Sequence, residues 1–471
     1  MYLITAVQAR VTHVATRIPF RYGIAEMTQA PHVVVELELQ GGTRGWASEH
    51  LPPKWFTKDP DTAFDDDIRD MVSVIEHAVQ IAQGLEAETP FDLWWQLQAA
   101  QAEWGSSHDV PGLLSGLGSA LVERAMIDAV CRQLGMPFGV ALRTGELGFD
   151  AARIHPELAG QTLAEAFPET RGASIAVRHT VGLSDALFDD EVIDLPADAL
   201  PVSLDAIITR YGVTHFKVKT AGDLAVDIAR LHRILDLTQR HGVDPWFTID
   251  GNESMRTADH LLAWGNGLLA DPQLGDILRE RLIAVEQPFH RSIALGSDVS
   301  AALRAFELPV IIDESDDAIG TIRAAMDLGY AGGTYKGCKG VFRGLANAAL
   351  VQRRGMTSPA VLTAEDLSTL PPLTVPQDLV VAAVMGLTHI ERNGHHYFGR
   401  LAPVDTQLDE LLLSSHADLY ERQSDGRVRL RIEGGSIQLG SVLRSPFGLT
   451  PEPDISALAH LSVSAAVDGL A

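Results

Sequence analysis

Lys217-Val218-Lys219, Ile249-Asp250-Gly251-Asn252, Val285-Glu286-Gln287-Pro288, Ile311-Ile312-Asp313-Glu314-Ser315 and Thr334-Tyr335-Lys336 end five successive runs between His215 and Gly340. Each run opens apolar and closes on charge. The intervals have helical period: from Asp223 to Arg240 the apolar side chains fall at Leu224, Ile228, Leu231, Ile234 and Leu235, with Asp223 placed as N-cap and Gly242 as C′. Strands alternating with helices make a parallel α/β sheet. If the sheet closes into a barrel, the carboxyl ends of successive strands converge on one mouth. Three carboxylates and three lysines would then meet there.

The pattern extends in both directions. Ile175-Ala176-Val177 begins a first barrel strand reaching Val181-Gly182. Helices are expected from Asp317 to Leu328, from Leu345 to Arg353 before Ala360–Thr363, and from Gln377 to Met385 behind Pro376, before Leu387–Ile390. That makes about eight strands with intervening helices, the signature of a (β/α) barrel. Upstream, Val33 to Leu39 alternates ahead of Gly41-Gly42 and Gly45-Trp46-Ala47, a hairpin signal, and Phe20–Thr28 reads as an aromatic-rich loop. Residues 62–134 turn helical, with Leu113 to Leu134 stopping at Gly135. This is an α+β unit. Residues 144–173 have weak period and read as an excursion. In the tail, Arg427–Ile432 and Ile437–Leu439 flank a Gly434-Gly435 turn. The expected organisation is an α+β unit over 1–145, a barrel over 146–400, and a segment over 401–471 packing back on the first unit.

The 471 residues are 46% hydrophobic, with mean hydropathy +0.07, enough for a large core. A net charge of −25 argues against nucleic acid, which needs clustered Lys and Arg. The longest apolar run, Leu379 to Leu387, is too short to span a bilayer. Two cysteines, Cys131 and Cys338, make no disulfide framework, and the start lacks a basic-then-apolar leader. The expectation is a cytoplasmic protein that acts on small molecules, without nucleic acid or membrane.

Lys217 and Lys219 are two apart on a strand and share a face. An isolated Lys-x-Lys is ordinarily a solvated pair. In a barrel interior, burial and a neighbouring like charge push a lysine's pKa down and make it a base. One strand-end acid ordinarily caps the next helix. Asp250, Glu286 and Asp313 in series are different, because three clustered carboxylates need a cation, and hard oxygen ligands suit Mg²⁺. Lys336 follows on the next strand, across the mouth from Lys219, and Lys339 lies a turn further on. Asn252 and Glu314 neighbour proposed ligands and suit hydrogen bonding to them. His389, His395 and His396 lack a zinc spacing and read as ordinary loop histidines. No GxxxxGK[ST] phosphate loop is present.

These residues resemble the enolase superfamily, in particular its mandelate racemase/muconate lactonizing enzyme branch. Lys217-Val218-Lys219 is similar to the branch's KxK, the three acidic motifs to its metal-ligand motifs, and Lys336 with Lys339-Gly340 to its sixth-strand lysine motif. Arg124-Ala125-Met126-Ile127-Asp128-Ala129 with Gly135-Met136-Pro137 resembles the end of its capping domain. The resemblance implies a capping α+β domain over a modified TIM barrel, (β/α)7β, with Mg²⁺ held by Asp250, Glu286 and Asp313 and a homo-oligomer. It implies proton abstraction α to a substrate carboxylate, giving a stabilised enediolate. Lys219 and Lys336 would act on opposite faces, with Lys217 as electrostatic helper, in a racemase, epimerase or cycloisomerase. The loops Phe20–Thr28 and Ser48–Trp55 resemble those that close over substrate, which makes Phe20, Tyr22, Ile24 and Met27 substrate-contact candidates beside Lys339 and Glu391. Ile390-Glu391-Arg392-Asn393 lacks the paired Asp associated with dipeptide epimerases. An acid-sugar dehydratase, drawing on Glu365, Asp366, Glu391 and His389, is the alternative. A non-catalytic barrel that binds metal or a partner is the alternative of another class.

Overall fold

The structure is a computed structural model that describes residues 1–169, 172–405 and 407–470. Thr170 and Arg171, within the weakly periodic 144–173 stretch, and Thr406 and Ala471 lie outside the described residues.

Period-two alternation builds the N-terminal sheet. Tyr2–Tyr22 and Ala25–Leu39 form one long antiparallel hairpin, and Arg44–His50 adds the third strand. The loop expected over Phe20–Thr28 is instead the hairpin's tip. Phe20 pairs with Met27 and Tyr22 with Ala25, and Gly23 takes the left-handed conformation (φ 50°) that the two-residue turn needs. Helices Phe64–Ala82, Pro90–Ser107 and Gly112–Leu134 accompany this sheet. The last stops at Gly135 (φ 62°), as the sequence indicates. Its approach to its neighbours depends on absent side chains. A Cβ at Gly45 would stand 2.2 Å from Ala129 N, and one at Gly118 would stand 2.2 Å from Val74 O.

Eight parallel strands form the second unit: Ser174–Val181, His215–Lys219, Trp246–Asp250, Leu282–Glu286, Val310–Ile312, Gly332–Lys336, Val361–Glu365 and His389–Arg392. They are hydrogen-bonded in the order seventh to first and then eighth, so the sheet curls into a modified TIM barrel, (β/α)7β, under the N-terminal α+β cap. The intervening helix Leu224–Arg240 shows why the alternation holds. Asp223 caps it by accepting from Ala225 N and Val226 N, and Leu231, Ile234 and Leu235 are buried. The helix after the sixth strand, Val341–Gly355, begins four residues earlier than its periodicity indicates. Glu123 of the cap accepts from Val341 N at 2.9 Å and Phe342 N at 2.7 Å, so a distant carboxylate supplies the missing cap.

The C-terminal stretch touches both units. Ser436–Gln438 runs antiparallel to the first barrel strand, and Ala459–His460 pairs with Arg10 and Val11 on the first strand of the cap. Tyr420–Arg422 and Val428–Leu430 make a separate hairpin. Among the described residues no helix is long and apolar enough to cross a membrane.

Candidate functional site

The ladder register sets the strand ends level. Lys219 lies opposite Asp250, Asp250 opposite Glu286, and Lys336 opposite Glu365. Residues two apart share a face, so the second strand presents Lys217 and Lys219 together. Lys217, Lys219, Asp250, Glu286, Asp313, Lys336, Glu365 and Glu391 are all buried.

The ammonium of Lys217 lies among four carboxylates: 2.6 Å from Glu365, 2.7 Å from Glu286, 3.1 Å from Asp250 and 3.3 Å from Glu391. Lys219 pairs with Asp250 at 2.5 Å. Asp313 accepts from Lys336 at 2.5 Å and, on its other oxygen, from Lys339 at 2.7 Å. Lys336 also lies 3.3 Å from Glu365, whose second oxygen accepts from Arg178 at 2.6 Å. Thr180 donates to Glu391 at 2.5 Å.

Burial alone penalises every one of these charges, and the neighbours decide the outcome. Burial pulls Lys217 and Lys336 down, yet the surrounding carboxylates outweigh it and hold both well above the usual lysine range. This corrects the sequence-based expectation of depressed lysines, which counted the like charge and not four acids. Asp313 is buried and still held below its ordinary value by Lys336 and Lys339. Glu286 goes the other way: burial, Asp250 and Glu365 push it well up. Burial, then Asp313, lifts Glu314 to about 7. Asp366, raised chiefly by burial and then by Glu391 and Asp378 against the opposing pull of Arg392, also sits at about 7.

A divalent cation fits this donor set. One oxygen each from Glu286, Asp313 and Glu365 lie within 4.8 Å of one another, the one such group among the described residues. With Mg–O bonds of about 2.1 Å, the three oxygens would have to draw inward to share one ion. Glu286 Oε2 is buried with no hydrogen-bond partner, an orphaned oxygen that a bound cation would satisfy. Asp250, named from the sequence, is not in this group. Its Oδ1 accepts from Asn252 N at 2.8 Å and its Oδ2 faces the two lysines. Glu365 completes the group, and Asp250 shares the Lys217 ammonium with it.

Cap and barrel together line a cleft over these groups. Phe20, Tyr22, Pro52 and Trp55 line one wall, and Lys217, Lys219, Asn252, Asp313, Glu314, Lys336 and Glu391 line the other. Phe20 stacks on Tyr397 at 4.0 Å between centroids, and the Trp55 ring lies 4.9 Å from the Lys336 ammonium. Other candidates fall elsewhere. Ile24 is 51% exposed, and Met27 is buried at 1%; neither lines the cleft. Lys339 is no loop charge: it holds Asp313 from behind and borders a separate cavity beside Glu123 and Arg343. His389 bonds Arg178, while His395 and His396 pack edge-on against His179, away from the carboxylates.

Two residues were not singled out from sequence as metal-site elements. Glu365 is one, although the seventh strand closes on a charge as the others do. Gln287 is the other: its carbonyl accepts from Asp313 N at 2.8 Å and its amide donates to Ser315 Oγ at 2.7 Å, which ties the fourth strand end to the fifth.

Neither a family model nor a curated protein matches the chain. Solved structures do. A mandelate racemase/muconate lactonizing protein from Herpetosiphon aurantiacus is 19% identical, covers 95% of this chain and 98% of its own, and superposes with a TM-score of 0.61. An enolase from Bradyrhizobium, complexed with magnesium and mandelic acid, is 16% identical over 93% of each chain, with a TM-score of 0.57. A dipeptide epimerase from Methylococcus capsulatus, complexed with Mg and the dipeptide L-Arg-D-Lys, is 16% identical over 92% of this chain and 99% of its own, with a TM-score of 0.56. The chain shares their fold.

Proposed function

We propose that this chain is a member of the mandelate racemase/muconate lactonizing enzyme branch of the enolase superfamily, and that it removes and returns the proton α to a small-molecule carboxylate. The observation that carries this is that Lys219 and Lys336, from the second and sixth strands, line one cleft with Asp313, Lys219 paired with Asp250 and Lys336 with Asp313. In two of the solved structures named above, magnesium accompanies mandelic acid in one and a dipeptide in the other.

Asp250, Glu286 and Asp313, with Glu365 beside them, would hold Mg²⁺. The ion, when bound, supplies positive charge to the substrate carboxylate. Lys219 Nζ takes the α-proton on one face. Lys336, kept protonated by Asp313 and Glu365, delivers one on the other. Lys217 keeps a fixed positive charge next to the substrate as negative charge develops. Asn252 N orients Asp250 from its strand-end turn, and Glu314 stands beside Asp313 in the cleft. The outcome is racemisation, epimerisation or cycloisomerisation. A second reading, β-elimination from an acid sugar, draws on Asp366, which sits in the cleft with its carboxyl near neutrality and could protonate a leaving hydroxyl.

The test is α-proton exchange in D₂O with Mg²⁺ and a panel of α-substituted carboxylates, including mandelate and dipeptides. Deuterium should enter the α position, and Lys219→Ala and Lys336→Ala should each block exchange from opposite enantiomers. Exchange that survives in both variants removes the lysines from the mechanism. Exchange with no member of the panel favours a non-catalytic barrel, and net loss of water favours the dehydratase. The same reading takes 1–145 as cap, 146–400 as barrel and 401–471 as the segment joining them. It also expects a homo-oligomer, measurable by light scattering, and a reducing cytoplasm, where the buried, unpaired Cys131 and Cys338 stay thiols.

A further inference from the structure

The chain leaving the third cap strand crosses to the barrel mouth, where a buried ion cluster fixes it. Arg291, just beyond the fourth barrel strand, donates to the carbonyl oxygens of Phe56 at 2.6 Å and Trp55 at 3.0 Å. Its backbone N and guanidinium meet Glu253 in three contacts of 2.8, 2.9 and 3.0 Å. From the crossing segment itself, Lys58 reaches Glu253 at 2.9 Å and the carbonyl of Asn252 at 2.5 Å. The Glu253 side chain is 0% exposed, so one carboxylate neutralises a cation from each unit in a low-dielectric setting.

The backbone there is held rather than relaxed. Lys54 (φ 61°), Lys58 (φ 53°), Asn252 (φ 43°) and Glu253 (φ 62°) all occupy the left-handed region. Non-glycine residues there are strained and persist where surrounding contacts over-determine them. The four lie on the two segments that Glu253 joins. What the junction holds is Trp55, 8% exposed, with its ring over the Lys336 ammonium. At its other end Asn252 N donates to Asp250, so one turn orients a candidate ligand and docks the aromatic cover.

We infer that Glu253 and Arg291 are positioning residues: their ion pair, completed by Lys58, docks residues 54–58 on the barrel so that Trp55 shields Lys336 from water. Neither residue lines the cleft. That the shielded amine is a reacting one rests on the function proposed above; the docking itself does not.

The test is lysine acetylation of the full-length protein with acetic anhydride, read peptide by peptide and normalised to the N-terminal amine. In Glu253→Gln, Lys58 and Lys336 should both label at least tenfold faster than in the wild type, with faster amide exchange confined to 51–58. In Trp55→Ala, Lys336 alone should speed up. Lys58→Arg should leave Lys336 at the wild-type rate, whereas Lys58→Gln should raise it about threefold. Faster labelling of Lys58 with Lys336 unchanged overturns the inference, as does an unchanged Lys336 in Trp55→Ala. If Glu253→Gln fails to fold by circular dichroism, Lys58→Gln and Trp55→Ala decide it on the same criteria. No substrate is present, so failure here leaves the two-base chemistry standing, and failure of α-exchange leaves the docking standing.

Discussion

Asp313 is one carboxylate with an ammonium on each oxygen, both in the protein interior. Asp313→Asn strands Lys336 and Lys339, and removing one partner of a buried pair costs about 3–5 kcal/mol. Urea denaturation should show that loss at neutral pH. Glu365 makes a sharper comparison, because it serves Arg178, Lys217 and Lys336 at once. Calorimetry should find Mg²⁺ binding weakened roughly 10- to 100-fold in Glu365→Gln, the range expected for groups that tune a metal site. Lysines and acids at strand ends were legible in the sequence because each closes an apolar run. Glu365 closes one too, but its approach to Glu286 follows from how far the sheet curls, and no residue spacing records that. The raised lysine pKa values were illegible for a similar reason: they depend on the number of carboxylates around one ammonium.

Helices and strands were legible where a local cap or period fixes them, as at Asp223, Gly135 and Gly41-Gly42. They were misread where the deciding contact comes from far along the chain. Val341–Gly355 starts early because Glu123 caps it across the interface, and Ser436–Gln438 finds its register on the first barrel strand rather than on a neighbour. Phe20–Thr28 was misread for another reason, since aromatic density suggests a loop while alternation and Gly23 make a hairpin tip. Contact between elements brings its own prediction. Helices Phe64–Ala82 and Gly112–Leu134 touch at Gly118, where a methyl group would meet the Val74 carbonyl. Gly118→Ala should cost about 1–3 kcal/mol by overpacking despite alanine's better helix propensity. Thermal denaturation should show it, with the far-UV spectrum unchanged.

Across the whole molecule, buried histidines carry an acid-sensitive share of the stability. Burial lowers His32, His50 and His179 to about 3 each. The unfolded chain binds their protons near pH 6.5 and the folded chain does not, so their contribution is complete above about 6.5 and is lost as pH falls toward 3. At pH 5 the loss is about 2 kcal/mol for each histidine. The raised carboxyls of Glu314 and Asp366 act in the opposite sense over the same range, so the histidine share is read by difference: between pH 7.5 and 5.0 His179→Phe should lose less stability than the wild type by one histidine's share.

The pairing of Ala459–His460 with Arg10 and Val11 carries a consequence for synthesis. The partner of the first strand lies far along the chain, so that edge of the cap stays open until Ala459–His460 has been made. An open edge recruits other strands. The nascent protein therefore needs Ala459–His460, or a chaperone standing in for it, before that edge is safe from its neighbours.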